Sequence, residues 1–145
     1  MKVSTKGRYA LRMLLDLAEH KDEGFISLKE IAERQNISKQ YLEQIVSLLN
    51  TSNILRANRG KQGGYMLAIE PSRCSVGQVL RIAEGSLAPV SCLEDEINQC
   101  DRAGFCKTLP MWKGLNRVIA DYLDSVTLQD MLEQYQEYSA VNYVI

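Results

Sequence analysis

Residues 27 to 49, SLKEIAERQNISKQYLEQIVSLL, place two short helical patterns on either side of a three-residue turn, and few small folds accept that arrangement. Ser27 with Glu30 three positions later has the pattern of a capping box, after which Ile31 and Ala32 face inward. The turn NIS follows, and Ser38 caps a second helix whose Leu42, Ile45, Val46 and Leu49 recur at helical spacing. Residues 54 to 69, ILRANRGKQGGYMLAI, then lead in with Ile54 and Leu55 and leave with Tyr65 and Leu67 in alternation. Gly60, Gly63 and Gly64 lie between, which predicts a hairpin, closed by Pro71. Two short helices, a tight turn and a hairpin give the order of a winged helix-turn-helix.

The remaining patterns are helical. Tyr9, Leu11, Met13, Leu14, Leu17 and Ala18 predict a helix from Thr5 to about His20. SVGQVLRIAEG predicts another, capped by Ser75 with Gln78 at the capping-box position and ended by Gly85. From about Thr108, the residues Leu109, Trp112, Leu115, Val118, Ile119, Tyr122, Leu123 and Val126 recur every three or four positions, nearly five turns of one long helix. TLQDMLEQYQ predicts a short last helix with Thr127 at its start and Asp130 in its first turn. The residues after it, EYSAVNYVI, are expected to add a short strand or to fray. The predicted fold class is mostly α with a small β-hairpin wing. Residues 1–70 would form the winged helix-turn-helix, 71–107 a connecting helix and cysteine-rich loop, and 108–145 a dimerisation helix and tail.

Composition decides where such a chain works. No apolar run approaches the roughly 18 residues of a membrane span. The N-terminal stretch carries charge throughout and no small-residue cleavage site, so the expectation is a cytoplasmic protein with no membrane partner. Thiols stay reduced in that compartment. Residues 1–70 hold eleven Lys and Arg against eight Asp and Glu, a balance of +3, whereas the rest holds six against ten, −4. A basic front joined to an acidic back suits a polyanion-binding module carrying a sensing or assembly module, though unrelated solvated faces give the same imbalance.

The front half has the residues for reading double-stranded DNA. Around the hairpin tip, Arg56, Arg59 and Lys61 flank Gly60, so a cationic loop can approach a phosphate backbone or a minor groove. The second helix begins with Ser38, Lys39, Gln40 and Tyr41 and continues with Glu43 and Gln44. Glutamine can bridge an adenine there, and glutamate can accept from a cytosine amine. Lys2, Lys6 and Arg8 would hold phosphates without reading sequence. The alternative is a winged helix used only for protein docking, which would show no salt-dependent binding to duplex DNA.

Three of the four cysteines, Cys92, Cys100 and Cys106, fall in CLEDEINQCDRAGFC. An odd number in a reducing compartment argues against disulfides. Packing suits Cys74, beside a helix start, but not three thiols in a loop with Glu94, Asp95, Glu96 and Asp101. A structural zinc site takes four closed ligands with a CxxC pair, and this chain has no such pair and one histidine, His20. Iron–sulfur ligation and redox-active thiols both remain open. No cofactor loop, acid–base pair or nucleophile with a base beside it stands out, so neither an enzyme nor a small electron carrier is expected.

MKVSTKGRYALRMLLDLA, ISLKEIAERQNISKQYLEQIVSLL, RGKQGGYMLA and SVGQVLRIAEGSLAPVSC together resemble the Rrf2 family of bacterial winged-helix regulators, over nearly the whole chain. With the cysteine loop and VTLQDM included, the likeness is to the family's iron–sulfur branch. The resemblance implies a homodimer on a palindromic operator, with Tyr41, Glu43 and Gln44 at recognition-helix positions and Arg59 and Gly60 in the wing. In that branch the glutamate matching Glu43 helps to discriminate between operator classes. The resemblance also implies an iron–sulfur cluster held by Cys92, Cys100 and Cys106, 2Fe–2S in preference to 4Fe–4S. Two departures concern its ligands. The gap from Cys92 to Cys100 is longer than is common, and the histidine that completes the site in the best-known members is Leu109 here. Some relatives use an acidic residue of the partner's first helix, where this chain has Arg8. The fourth ligand is therefore unknown, with Asp101, Glu94, Asp95, Glu96, Thr108 or an external thiol or water as candidates. Trp112, Leu115, Val118, Ile119, Tyr122 and Leu123 are expected to meet their counterparts in the second subunit. Within the family the alternative is a metal-independent regulator of cysteine or sulfur metabolism acting through a thiol or a protein partner. Relatives of that kind lack the three-cysteine loop.

Overall fold

The computed structural model describes residues 1–143. Six helices and one two-stranded antiparallel sheet follow in the order α1 (Thr5–Glu19), α2 (Leu28–Gln35), α3 (Lys39–Asn50), β1 (Leu55–Asn58), β2 (Gly64–Leu67), α4 (Val76–Glu84), α5 (Leu109–Ser125) and α6 (Leu128–Tyr143). This is a winged helix-turn-helix with a long C-terminal helix.

The helix starts follow from serine chemistry. Ser27, Ser38 and Ser75 each accept, through the hydroxyl, the backbone N–H three residues on, at 3.2, 3.1 and 3.1 Å. At Ser27 and Ser75 the capping box closes on that side alone. The reciprocal box forms at α6, where the Asp130 N–H donates to Thr127 Oγ1 at 3.0 Å and the Thr127 N–H to Asp130 Oδ2 at 2.9 Å. Asn36 ends α2 in the left-handed conformation, φ 53°, which turns the chain sharply into α3.

The core lies within the winged helix-turn-helix of residues 1–70, the reader of the sequence-based expectation. Met13, Leu14 and Leu17 of α1 meet Ile31 of α2, Leu42, Ile45 and Leu49 of α3 and Ile54, all almost wholly excluded from water. Burying each such side chain contributes on the order of 2 kcal/mol. The same core continues through Cys74, Val79 of α4 and Leu128 of α6. Backbone bonds fasten this continuation: Val76 N–H donates to the Val126 carbonyl at 2.8 Å and Leu128 N–H to the Cys74 carbonyl at 2.9 Å. Cys74 is fully buried, and burial pushes its thiol up to about 11, as its packing role requires.

One ion pair joins α1 to α2. Asp16 is buried on α1 and accepts two bonds from the Arg34 guanidinium, at 3.0 and 2.6 Å, and one from Gln35 Nε2 at 2.9 Å. Burial pushes its carboxyl up, but the Arg34 and Gln35 hydrogen bonds and the Arg34 charge outweigh that and leave it below its ordinary value.

Two local expectations change. The short last helix extends to Tyr143, so residues 137–143 are helical and neither a strand nor frayed chain; only Val144 and Ile145 of that segment lie outside the described residues. The loop before α2 contributes to the sheet, because Ile26 pairs with Tyr65 through bonds of 2.9 and 2.8 Å. Gly64 makes this possible, since a Cβ there would run into the Ile26 backbone.

Candidate nucleic-acid interface and cysteine segment

Strands β1 and β2 pair in the register Arg56 to Met66 and Asn58 to Gly64, which leaves residues 59–63 to make the tip. Gly60 there has φ 118°, and its carbonyl accepts the Gly63 N–H at 3.0 Å. Arg56, Arg59, Gly60 and Lys61 are all exposed. None of the three cations is engaged in a salt bridge among the described residues. The wing thus presents unneutralised charge on a backbone narrow enough to approach a phosphate chain.

On α3 the core residues fix the orientation, and Lys39, Gln40, Glu43 and Gln44 face solvent as a consequence. Ser38 is exposed, but its hydroxyl is engaged as the cap of this helix. Tyr41 is half-buried: its ring meets Tyr9 edge-on at 5.5 Å, and the Arg12 guanidinium lies 5.0 Å from the centre of the Tyr9 ring. That cluster ties the start of α1 to the start of α3. Lys2 and Arg8 are exposed at the same end, Lys6 is half-buried, and Arg8 donates to Thr5 Oγ1 at 3.0 Å. Ser47, one turn beyond Glu43 on the exposed face, is a further polar group that the sequence reading passed over.

The cysteine segment joins α4 to α5 through two single 3-10 turns, Ser91–Leu93 and Ala103–Phe105. Cys92 and Cys106 are half-buried and Cys100 is exposed, and all three are free thiols. Cys100 N–H donates to Asn98 Oδ1 at 2.9 Å, an Asx turn that the sequence reading did not single out. Cys106 Sγ lies 3.3 Å from Thr108 Oγ1. The Thr108 side chain, its backbone N–H and that of Leu109, together with the Arg102 charge, hold this thiol below its ordinary value. The sulfurs are not gathered: among the described residues no three His, Cys, Asp or Glu side chains are placed to hold one metal ion. In chemistry the segment still suits a soft metal centre, with three accessible thiols and a fourth cysteine kept out of reach in the core. Leu109 is buried, so the position of the missing histidine now serves packing.

Helix α5 divides its apolar residues between two faces. Ile119 turns toward the end of α4 and lines a depression of about 240 Å³ with Arg81, Leu87 and Leu93, and Trp112 and Leu123 are also half-buried within the subunit. Met111, Leu115, Val118 and Tyr122 stay exposed, by 53, 40, 65 and 63 %. Their spacing of four, three and four residues makes a continuous seam of coiled-coil type. Met111 was missed by the sequence reading, although the same spacing marks it. Among the described residues no helix is long and apolar enough to cross a membrane.

The profile of the Rrf2 family, described as an iron-dependent transcriptional regulator, matches residues 3–134. The HTH-type transcriptional regulator CymR of Bacillus subtilis is 40 % identical over 131 residues, covering 90 % of this chain and 89 % of CymR. A solved structure of CymR, described as the global cysteine regulator of B. subtilis, superposes with a TM-score of 0.75 at 36 % identity, over 92 % of this chain and 98 % of that one. The solved IscR of T. potens superposes with a TM-score of 0.76 at 42 % identity, over 95 % of this chain and 90 % of that one.

Proposed function

Because the chain belongs to the Rrf2 family of transcriptional regulators, we propose that it is a cytoplasmic homodimer that binds a palindromic operator and senses iron–sulfur or redox status through Cys92, Cys100 and Cys106. The observation that carries this reading is the division among the cysteines: one is locked in the core, and three accessible thiols occupy the single segment that leads into α5. Those three residues would hold an iron–sulfur cluster, 2Fe–2S in preference to 4Fe–4S, which supplies a redox-sensitive, removable centre when bound. Thr108, whose hydroxyl lies 3.3 Å from Cys106 Sγ, is one of the candidate oxygen donors for the fourth position, together with Asp101, Glu94, Asp95 and Glu96.

The chain's own residues do the rest. The exposed seam Met111, Leu115, Val118 and Tyr122 supports pairing of two copies through α5. Lys2, Lys6, Arg8, Arg56, Arg59 and Lys61 would meet phosphates, and Gln40, Glu43 and Gln44 would meet base edges. Two readers joined through α5 must match the spacing of operator half-sites, so a change at the root of α5 changes affinity by changing their relative pose. A second reading rests on the likeness to CymR and on sulfurs that do not converge: a metal-independent regulator of cysteine metabolism, switched by its thiols or by a protein partner.

Purification without oxygen, with iron and sulfide analysis and visible absorption, separates the two. The cluster reading expects coloured protein with iron and sulfide, and colourless, altered regulation when the three cysteines become serine. Iron-free protein that regulates normally with all three cysteines replaced would exclude it.

A further inference from the structure

We propose that Glu84 is a positioning residue for DNA binding: its carboxylate clasps the N-cap of α1 and sets where Lys2, Lys6 and Arg8 lie. The clasp ties the DNA-facing end of the chain to the helix that runs into the cysteine segment. The inference rests on the operator-binding reading above.

Glu84 is the last residue of α4, yet its Oε1 accepts both the Ser4 N–H, at 2.9 Å, and the Ser4 hydroxyl, at 2.6 Å. With its proton given to Glu84, the Ser4 oxygen turns a lone pair to the Gly7 N–H at 3.3 Å. The helix start is thereby capped through serine by a carboxylate 80 positions away in sequence. The first turn of α1 contains no acidic residue of its own, while Lys2, Lys6 and Arg8 crowd it with positive charge. Glu84 supplies the negative charge that a helix N-terminus favours.

Gly7 shows how close the two helices must come. A Cβ at this buried position would run into Glu84 Oε1 and stand 3.1 Å from Leu80 Cδ2. The device recurs at the other joint of α4. Arg81 donates to both carboxylate oxygens of Asp124 on α5, at 2.7 and 2.9 Å, and Gly77 leaves the space that this carboxylate needs. Helix α4 is thus held to α5 by one carboxylate and to the phosphate-facing N-terminus by another, with the cysteine segment starting directly after it.

The test measures binding of the full chain to a random-sequence duplex over a range of salt concentrations, because the slope of affinity against salt counts phosphate contacts without needing the operator. Glu84→Ala is expected to weaken binding roughly three- to tenfold at low salt and to reduce the slope by about one to two contacts. Amide exchange at Gly7 and Arg8 should speed up while α3 keeps its protection. Glu84→Gln should restore most of the affinity, since its amide oxygen can accept both Ser4 bonds. Ser4→Ala, at an exposed residue, should weaken binding in the same way and add little to Glu84→Ala; it serves alone should that variant not fold. An unchanged slope in Glu84→Ala and Ser4→Ala, or loss of affinity only together with α3 protection, would overturn the inference. Failure of the unaltered protein to bind any duplex would overturn the operator-binding reading and this inference with it.

Discussion

The reader and the cysteine-bearing half of this molecule are finished to different degrees. In the reader, α1, α2 and α3 enclose their apolar residues, and Asp16 is matched by Arg34 and Gln35. In the other half, α5 buries one residue, Leu109, and leaves the seam from Met111 to Tyr122 open, while the three thiols ahead of it are not gathered into a metal-holding group among the described residues. The contrast teaches which half is stabilised within the chain and which half is shaped for something outside it. A closed core needs no second body. A continuous apolar seam beside accessible sulfur suits a partner surface and a ligand.

The largest effect expected from that contrast is on stability. Leu42→Ala opens a cavity in the enclosed core and should cost about 2–5 kcal/mol of unfolding free energy, read by urea denaturation. A loss under about 1 kcal/mol would mean that the reader is less tightly filled than its burial indicates.

Val118→Asp addresses the open half. On the proposed reading of two copies paired through α5, it should leave helix content unchanged, convert that dimer to monomer in sedimentation, and weaken operator binding by about 100-fold as two linked half-sites become independent. A variant that remains dimeric would place the subunit contact elsewhere and break the comparison.

The smallest effect concerns Asp16. Its folded carboxyl lies below the ordinary value, so its contribution to stability is complete above the unfolded pKa of about 4 and is lost as pH falls through the folded one. Asp16→Asn should lower stability at neutral pH and flatten the decline in acid, measured as unfolding free energy against pH. An unchanged acid limb would assign that decline to other carboxylates.

Much of the reader was legible because its information is local. Ser27, Ser38 and Ser75 announce helix starts through bonds only three residues long, and Gly60 announces a turn through its own φ. What stayed hidden depends on distant partners. Nothing near Ile26 signals its pairing with Tyr65, and nothing near Glu84 signals that it caps α1. Tyr41 has the polarity of a base-reading residue, but Tyr9 covers part of it. The end of the last helix is not legible because its far end is exposed and its pattern of apolar residues weak, so periodicity gives no edge to follow.

By itself the sequence determined the order of the elements, the caps that begin them, the cationic wing and the crowding of three thiols into one acidic loop, since each of these is a property of neighbouring residues. Only the tertiary structure decided which face of α5 stays open and that α4 is pinned by a carboxylate at each joint. Those outcomes depend on which surfaces meet across the fold, and close packing between residues far apart in the chain settles them.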